Sequence, residues 1–236
     1  GGGARAIEVL RLALACVGRT REEIHAYPCQ AQALDIQFVV ALRGDPPQGE
    51  TAFKKHPGGF SYANELVAFI RSEFPHMAIV VGGYPETHQQ APSPEVDLEN
   101  LRRKVDAGAD VVMTQLFYNN DDYFRFRDRC VAVGIQAPIV PGLLPVTNGA
   151  QIQRIASLCG ARLPQSFLDA LAEHEDGSDG QFRVGVEQAT RQTDALIAGG
   201  APGIHFYVLN KSEATSQVLA AVKLPAREPN DAPHQS

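Results

Sequence analysis

Short apolar runs rich in valine and isoleucine recur along the chain, separated by longer stretches of helical period. The runs at residues 12–16, 38–42, 78–82, 111–116, 139–144 and 204–209 are continuously apolar, which suits strands of a parallel sheet covered on both faces. Several intervening stretches carry helix signals. Thr20-Arg21-Glu22-Glu23 is a capping box, in which each side chain satisfies the other residue's free amide. Ser93-Pro94 supplies an N-cap and a first-turn proline, and Gly108 closes that helix. Asn120-Asp121-Asp122 places a cap and two acids before a helix over residues 123–133. Pro28 is expected to end or kink the helix begun at Thr20 near Tyr27. A long helical stretch over residues 163–198 is broken by "EHEDGSDG". Residues 225–236, polar and Pro-rich, read as a disordered tail after a single domain over residues 1–224.

Strict alternation of about six strands and helices predicts an α/β fold, either a doubly wound sheet or a (β/α)8 barrel. The strand ends discriminate between them. Five run into polar or Gly/Pro clusters, "RGDPP", "GGYPETH", "TQLFYNN", "LLPVTN" and "VLNKS". In a barrel all such ends surround one mouth, whereas in a doubly wound sheet only those near the switch point meet. The expectation is therefore a (β/α)8 TIM barrel, incomplete at its N-terminus, with about six of eight strand–helix units present.

Composition narrows the function classes. The 236 residues carry a net charge of -6, which argues against nucleic acid or an anionic membrane surface as the main partner. The four cysteines, Cys16, Cys29, Cys130 and Cys159, form no C-x-x-C pair and no zinc spacing, so no metal and a reducing, cytoplasmic setting are expected. No apolar run reaches the length of about 18 residues that a membrane span needs. The opening Gly1-Gly2-Gly3 in place of methionine suggests a fragment.

Candidate chemistry sits at the strand ends. Arg43-Gly44-Asp45 is a polar turn, an adhesive tripeptide, or a strand tip delivering charge to a site. In "GGYPETH", Tyr84 and His88 are either surface residues of a tight turn or a stacking face and a hydrogen-bonding group beside glycines that admit a ligand. Asp97, Asn100, Arg103 and Lys104 lie along one side of a helix, forming a solvated face or holding a ribose and a pyrophosphate. Gln115, at a strand tip among apolar neighbours, needs a structural or a ligand partner. His205 reads as a core histidine and Lys211 as a surface lysine. No G-x-G-x-x-G, phosphate-binding P-loop, G-x-S-x-G or H-E-x-x-H motif occurs.

Taken in order, "VALRGDPP", "FSYANELVAFIRSEF", "GGYPETH", "DLENLRRKVDAGAD", "TQLFYNNDDYFRFRDRC", "IVPGLLPVTN" and "GIHFYVLNKSEAT" resemble the catalytic domain of methylenetetrahydrofolate reductase. The resemblance spans nearly the whole chain. It implies a barrel with FAD at its C-terminal mouth and a ping-pong cycle. NADH or NADPH gives hydride to the flavin and leaves, and 5,10-methylenetetrahydrofolate then accepts it as 5-methyltetrahydrofolate. It further implies roles for single residues. Arg43, Gly44, Asp45, Tyr84, His88, Asp97, Asn100, Arg103 and Lys104 match flavin-binding positions. Asp45, the catalytic candidate, lies beside both flavin and pterin, Gln115 and Gln151 face the folate, and Lys211 stands where the family has an arginine. The chain is also expected to be soluble, and a homo-oligomer is open to it.

Departures accompany the match. Ala13-Leu14-Ala15-Cys16 stands where the family has His-Leu-Thr-Cys, and no segment corresponds to the family's glutamate-bearing first strand, its second strand or its flavin-binding threonine. Loss of a general acid costs about 10²–10⁴-fold in rate. The alternative expectation is therefore a non-catalytic or crippled flavin- or folate-binding relative. An Arg-Gly-Asp adhesion module suits this acidic, cysteine-poor chain less well.

Overall fold

In a computed structural model, residues 13–16, 18–44 and 56–223 are described. Asp45, the Pro46-Pro47 pair, Gly1-Gly2-Gly3 and the tail over residues 225–236 lie outside them.

Every predicted run contains a strand, in the order β1 (Ala13–Ala15), α1 (Arg21–Ala33), β2 (Phe38–Leu42), α2 (Ala63–Glu73), β3 (Ala78–Gly83), α3 (Pro94–Asp106), β4 (Val111–Thr114) and α4 (Asn120–Ala132). The chain continues through β5 (Ile139–Val140), β6 (Gly142–Leu143), α5 (Gly149–Cys159), α6 (Gln165–Ala172), α7 (Asp179–Ala198), β7 (His205–Phe206) and α8 (Glu213–Ala221). Strands β1 to β5 pair in sequence order, all parallel, and β6 pairs in parallel with β7. This is an α/β fold of the (β/α)8-barrel type, with all described strands running the same way.

The strand predicted over residues 139–144 is divided at Pro141. Proline has no amide to give a ladder, and the chain changes partner there. Ile139 and Val140 align with Val112 and Met113, whereas Gly142 and Leu143 align with His205 and Phe206. Thr114 joins the two sheets, its Oγ1 accepting from the Gly142 amide at 2.9 Å and its carbonyl from the Tyr207 hydroxyl at 3.0 Å. The last predicted strand is shorter than expected because the chain turns left-handed at Leu209 (φ 43°) and Asn210 (φ 62°).

Burial is uneven across the main sheet. Val39, Ile79, Val81 and Val112 are fully buried on the face that meets the helices. Gly83 lies there too, where a Cβ would meet Val112 at 2.7 Å and Phe126 of α4 at 2.9 Å. Val40, Val80 and Val111, aligned on the opposite face, are only half-buried among the described residues. The expectation of equal cover on both faces is corrected accordingly.

Two helix expectations also change. Helix α1 runs on through Pro28 to Ala33, with Pro28 buried, because one missing amide bond does not outweigh packing on Ile24 and Ala31 in the same buried stripe. Helix α4 is capped by Asn119, whose side chain accepts from the Asp121 amide, so Asn120 is the first helical residue. The capping box at Thr20 and Glu23 and the Ser93 cap form as predicted.

Candidate functional site

The ends of β2 and β3 and the near side of α3 enclose a cleft of about 450 Å³. Its walls contain Arg43, Tyr84, His88, Asp97, Asn100, Arg103 and Lys104, residues that sequence reasoning singled out separately. Helical spacing brings the α3 members together, since positions three and four apart share a face. Gly44 lies just beyond the β2 tip at φ 84°, a left-handed conformation that glycine adopts without a side-chain clash.

The chemistry of the cleft is cationic and partly dry. Lys104 reaches from α3 to the β3 tip and donates to the Gly82 carbonyl at 2.5 Å. Burial pushes its amine down to about 8, against the opposing pull of Asp97. Asp97 also accepts the His88 amide at 2.9 Å. The His88 ring stands edge-on to Tyr84 with 4.5 Å between centroids. Its Nδ1 accepts from the Gln90 amide at 3.0 Å, which leaves the neutral ring's proton on Nε2. Arg43 donates to Gln90 Oε1.

Gln115, Gln151 and Lys211, expected to face a second substrate, do not line this cleft. Gln115, at the β4 tip, accepts its neighbour's amide (Leu116) through Oε1 at 2.9 Å and donates its own amide to the Gly83 carbonyl at 2.8 Å. Gln151 and Lys211 meet across a separate hollow of about 640 Å³, between the starts of α5, α7 and α8. A narrower recess beside it is also lined by both residues and reaches Leu144 and Tyr207. Tyr207, bonded to Thr114, has its phenol pushed up to about 12 by burial, so it stays protonated and donating. Its ring stands edge-on to His205 at 4.7 Å, and burial lowers the imidazole below its ordinary value.

Sequence reading overlooked several parts of this arrangement. Tyr62, Asn64 and Gln90 line the first cleft. Glu86 is engaged by Arg162 at 2.8 Å, across 76 positions of sequence. Nothing local marks these residues: Tyr62 and Asn64 reach the cleft through the path of the chain, and Gln90 and Glu86 meet partners distant in sequence. Tyr207 had a local sign, a hydroxyl inside an apolar run, where a phenol needs a hydrogen-bond partner. Among the described residues no group of histidine, cysteine and acidic side chains is placed to hold a metal ion, and no helix is long and apolar enough to cross a membrane.

Comparison with known proteins agrees with the architecture. A family model described as methylenetetrahydrofolate reductase matches residues 5–223. The chain is 36% identical over 216 residues to methylenetetrahydrofolate reductase (NADH) 1 of Arabidopsis thaliana, covering 87% of this chain and 36% of that one. It is 36% identical over 200 residues to 5,10-methylenetetrahydrofolate reductase of Escherichia coli, covering 85% and 65% of the two chains. The Salmonella typhimurium protein of the same name is 39% identical over 202 residues. The chain thus spans about a third of the plant relative and just under two thirds of the bacterial ones. Among solved structures, a Clostridium thermocellum protein described as binding two copies of 5-methyl-5,6,7,8-tetrahydrofolic acid shares the fold. Its TM-score is 0.50 over 92% of this chain and 96% of its own, at 13% identity. With a family match over residues 5–223 and an α/β fold of parallel strands, the chain belongs to the methylenetetrahydrofolate reductase family.

Proposed function

We propose that this protein reduces 5,10-methylenetetrahydrofolate to 5-methyltetrahydrofolate, taking hydride from a reduced nicotinamide by way of bound FAD. The observation that carries the reading is the convergence of Arg43, Tyr84, His88, Asp97, Asn100, Arg103 and Lys104 on one cleft. Their chemistry fits a flavin dinucleotide. Three cations suit a pyrophosphate, Asp97 and Asn100 suit ribose or ribityl hydroxyls, and the Tyr84–His88 pair offers an aromatic wall. Lys104 supports it further, because an ammonium already short of solvent gains most from an anionic ligand.

When bound, FAD would supply two-electron chemistry that no side chain here provides. The protein's own contribution is positional. Arg43, Arg103 and Lys104 would hold the pyrophosphate, while Asp97 fixes the backbone of the His88 loop. Gln115, at the β4 tip, would bond the pterin once its amide turned from the Leu116 amide. Gln151 and Lys211 would receive the distal part of the folate, Lys211 meeting carboxylate as a point charge. Asp45, one residue past Gly44, is the proposed catalytic carboxylate, acting on flavin and pterin. We take residues 1–224 as one domain. The reductant is NADH or NADPH, and the Arabidopsis relative's name specifies NADH.

The test is a pair of half-reactions on the intact protein. NADH or NADPH should bleach the visible absorption of bound flavin without oxygen, and methylenetetrahydrofolate should restore it with formation of methyltetrahydrofolate. Protein that folds but retains no flavin after reconstitution would refute the reading. Bleaching that the folate cannot reverse would favour the crippled relative.

A further inference from the structure

The loop that carries Tyr84 and His88 contains a strained residue. Thr87 sits at φ 76°, in the left-handed region, where a β-branched side chain is a genuine outlier. Such a conformation persists only where its surroundings hold it. On the C-terminal side, the His88 amide donates to Asp97 Oδ2 at 2.9 Å and the Gln90 amide donates to His88 Nδ1 at 3.0 Å. On the N-terminal side, Glu86 is nearly buried, with 7% of its side chain exposed. Its carboxylate accepts from the Arg162 backbone amide at 3.0 Å and from Arg162 Nε at 2.8 Å.

Arg162 is itself held. It follows α5, and its NH2 group donates to Asp122 Oδ1 at 3.1 Å, an oxygen that also accepts from Arg125 at 2.6 Å. A second tie runs parallel, from Gln89 Nε2 to the Ser157 carbonyl at 3.0 Å. At its other end α5 begins beside Gln181, whose Oε1 accepts the Gly149 amide at 2.9 Å. The helix therefore runs as a strap from Gln181 to the Tyr84–His88 loop, with Gln151 near its start and the clamp on that loop just beyond its end.

We propose that Arg162 is a positioning residue for the cofactor cleft, clamping Glu86 so that Thr87 keeps its strained turn and Tyr84 and His88 stand against the cleft. This rests on the flavin reading of that cleft. Without the guanidinium, the loop relaxes at Thr87 and the aromatic wall must be rebuilt on binding. A glycine at position 87 adopts φ 76° without the clash, so it removes the need for the clamp.

The experiment uses the intact apoprotein with FAD as probe, following quenching of flavin fluorescence, together with hydrogen exchange of the apoprotein. Arg162→Ala should weaken FAD binding about tenfold, and Arg162→Lys by less, since the charge remains without the fork. Amides of His88 and Gln90 should exchange about tenfold faster in Arg162→Ala. Adding Thr87→Gly to Arg162→Ala should return both the affinity and the exchange to within about threefold of wild type, which a merely stabilising ion pair would not predict. Unchanged affinity and exchange in Arg162→Ala, or no recovery in the double variant, overturns the proposal. Wild-type protein that takes up no FAD refutes the flavin reading instead, and the exchange rates still decide the clamp.

Discussion

Lys104 donates to the carbonyl of Gly82 at 2.5 Å, so a cation from the middle of α3 is fixed at the tip of β3. Burial brings its pKa down from 10.5 to about 8. Between those values the unfolded chain holds a proton that the native protein has released. The apoprotein's stability from this group therefore rises from pH 8 towards 10.5, and below pH 8 the buried charge is a constant penalty. An anionic pyrophosphate beside Lys104 reverses the preference, so binding takes up a proton. FAD affinity is expected to fall above about pH 8, by at most about tenfold per pH unit, and Lys104→Met should abolish that slope. Titrations of FAD binding at several pH values check this.

Thr114 gives a prediction for stability. Fully buried, it accepts the Gly142 amide and links β4 to β6. Thr114→Val keeps the shape and removes the acceptor, leaving a buried amide unpaired. The expected loss is about 1–3 kcal/mol in urea unfolding.

Arg71, at the end of α2, donates to the carbonyls of Gly108, Pro75 and Met77 and to the Asp110 carboxylate, which in turn accepts the Ile79 amide. It closes the end of the barrel opposite the mouth, where side chains serve stability. Lysine offers three donors without the planar fork, so Arg71→Lys should cost about 1–3 kcal/mol in urea unfolding. FAD affinity should stay unchanged.

These examples mark what was readable in the sequence. Strands were legible because an apolar run announces burial whatever covers it, and Thr20 and Ser93 because a cap acts within one turn. Asn119 and Asn120 were indistinguishable as caps, since either could accept an amide and only the path of the chain decides. Residues 139–144 read as one strand, and the division at Pro141 was not legible, because the change of partner depends on a segment more than sixty residues away. The shared wall of Asp97, Asn100, Arg103 and Lys104 was legible from their spacing on α3, because positions three and four apart on a helix share a face. The Glu86–Arg162 clamp was not, because neither residue has a local reason to be anything but a surface charge.

Asp45 carries the prediction for the reaction itself. It follows Gly44 in the sequence, next to the β2 tip. Asn keeps the shape of Asp and removes its charge. Asp45→Asn should slow reoxidation of reduced flavin by methylenetetrahydrofolate by about 10²-fold or more, while changing FAD affinity less. Rapid-mixing measurement of the two half-reactions separates these effects, and equal folate rates in both proteins would remove Asp45 from the mechanism.

Gln151 and Lys211 test whether the mouth is divided between its ligands. They line a hollow that shares no residue with the cleft containing Lys104, and Gln151 is placed by the Asn148 cap, whose Oδ1 accepts its amide at 2.7 Å. Gln151→Ala removes a hydrogen-bonding amide from that hollow and the recess beside it, and none from the cleft containing Lys104. It should raise KM for the folate about tenfold, with FAD affinity and nicotinamide-driven flavin reduction unchanged. Lys211→Arg should do the opposite, because a planar guanidinium grips a carboxylate through two parallel bonds where an ammonium offers a single point charge. A lower folate KM in that variant, with kcat unaltered, is the expected result. If either substitution altered FAD affinity as much as folate KM, the two regions would form one site, and the strap formed by α5 would not separate them.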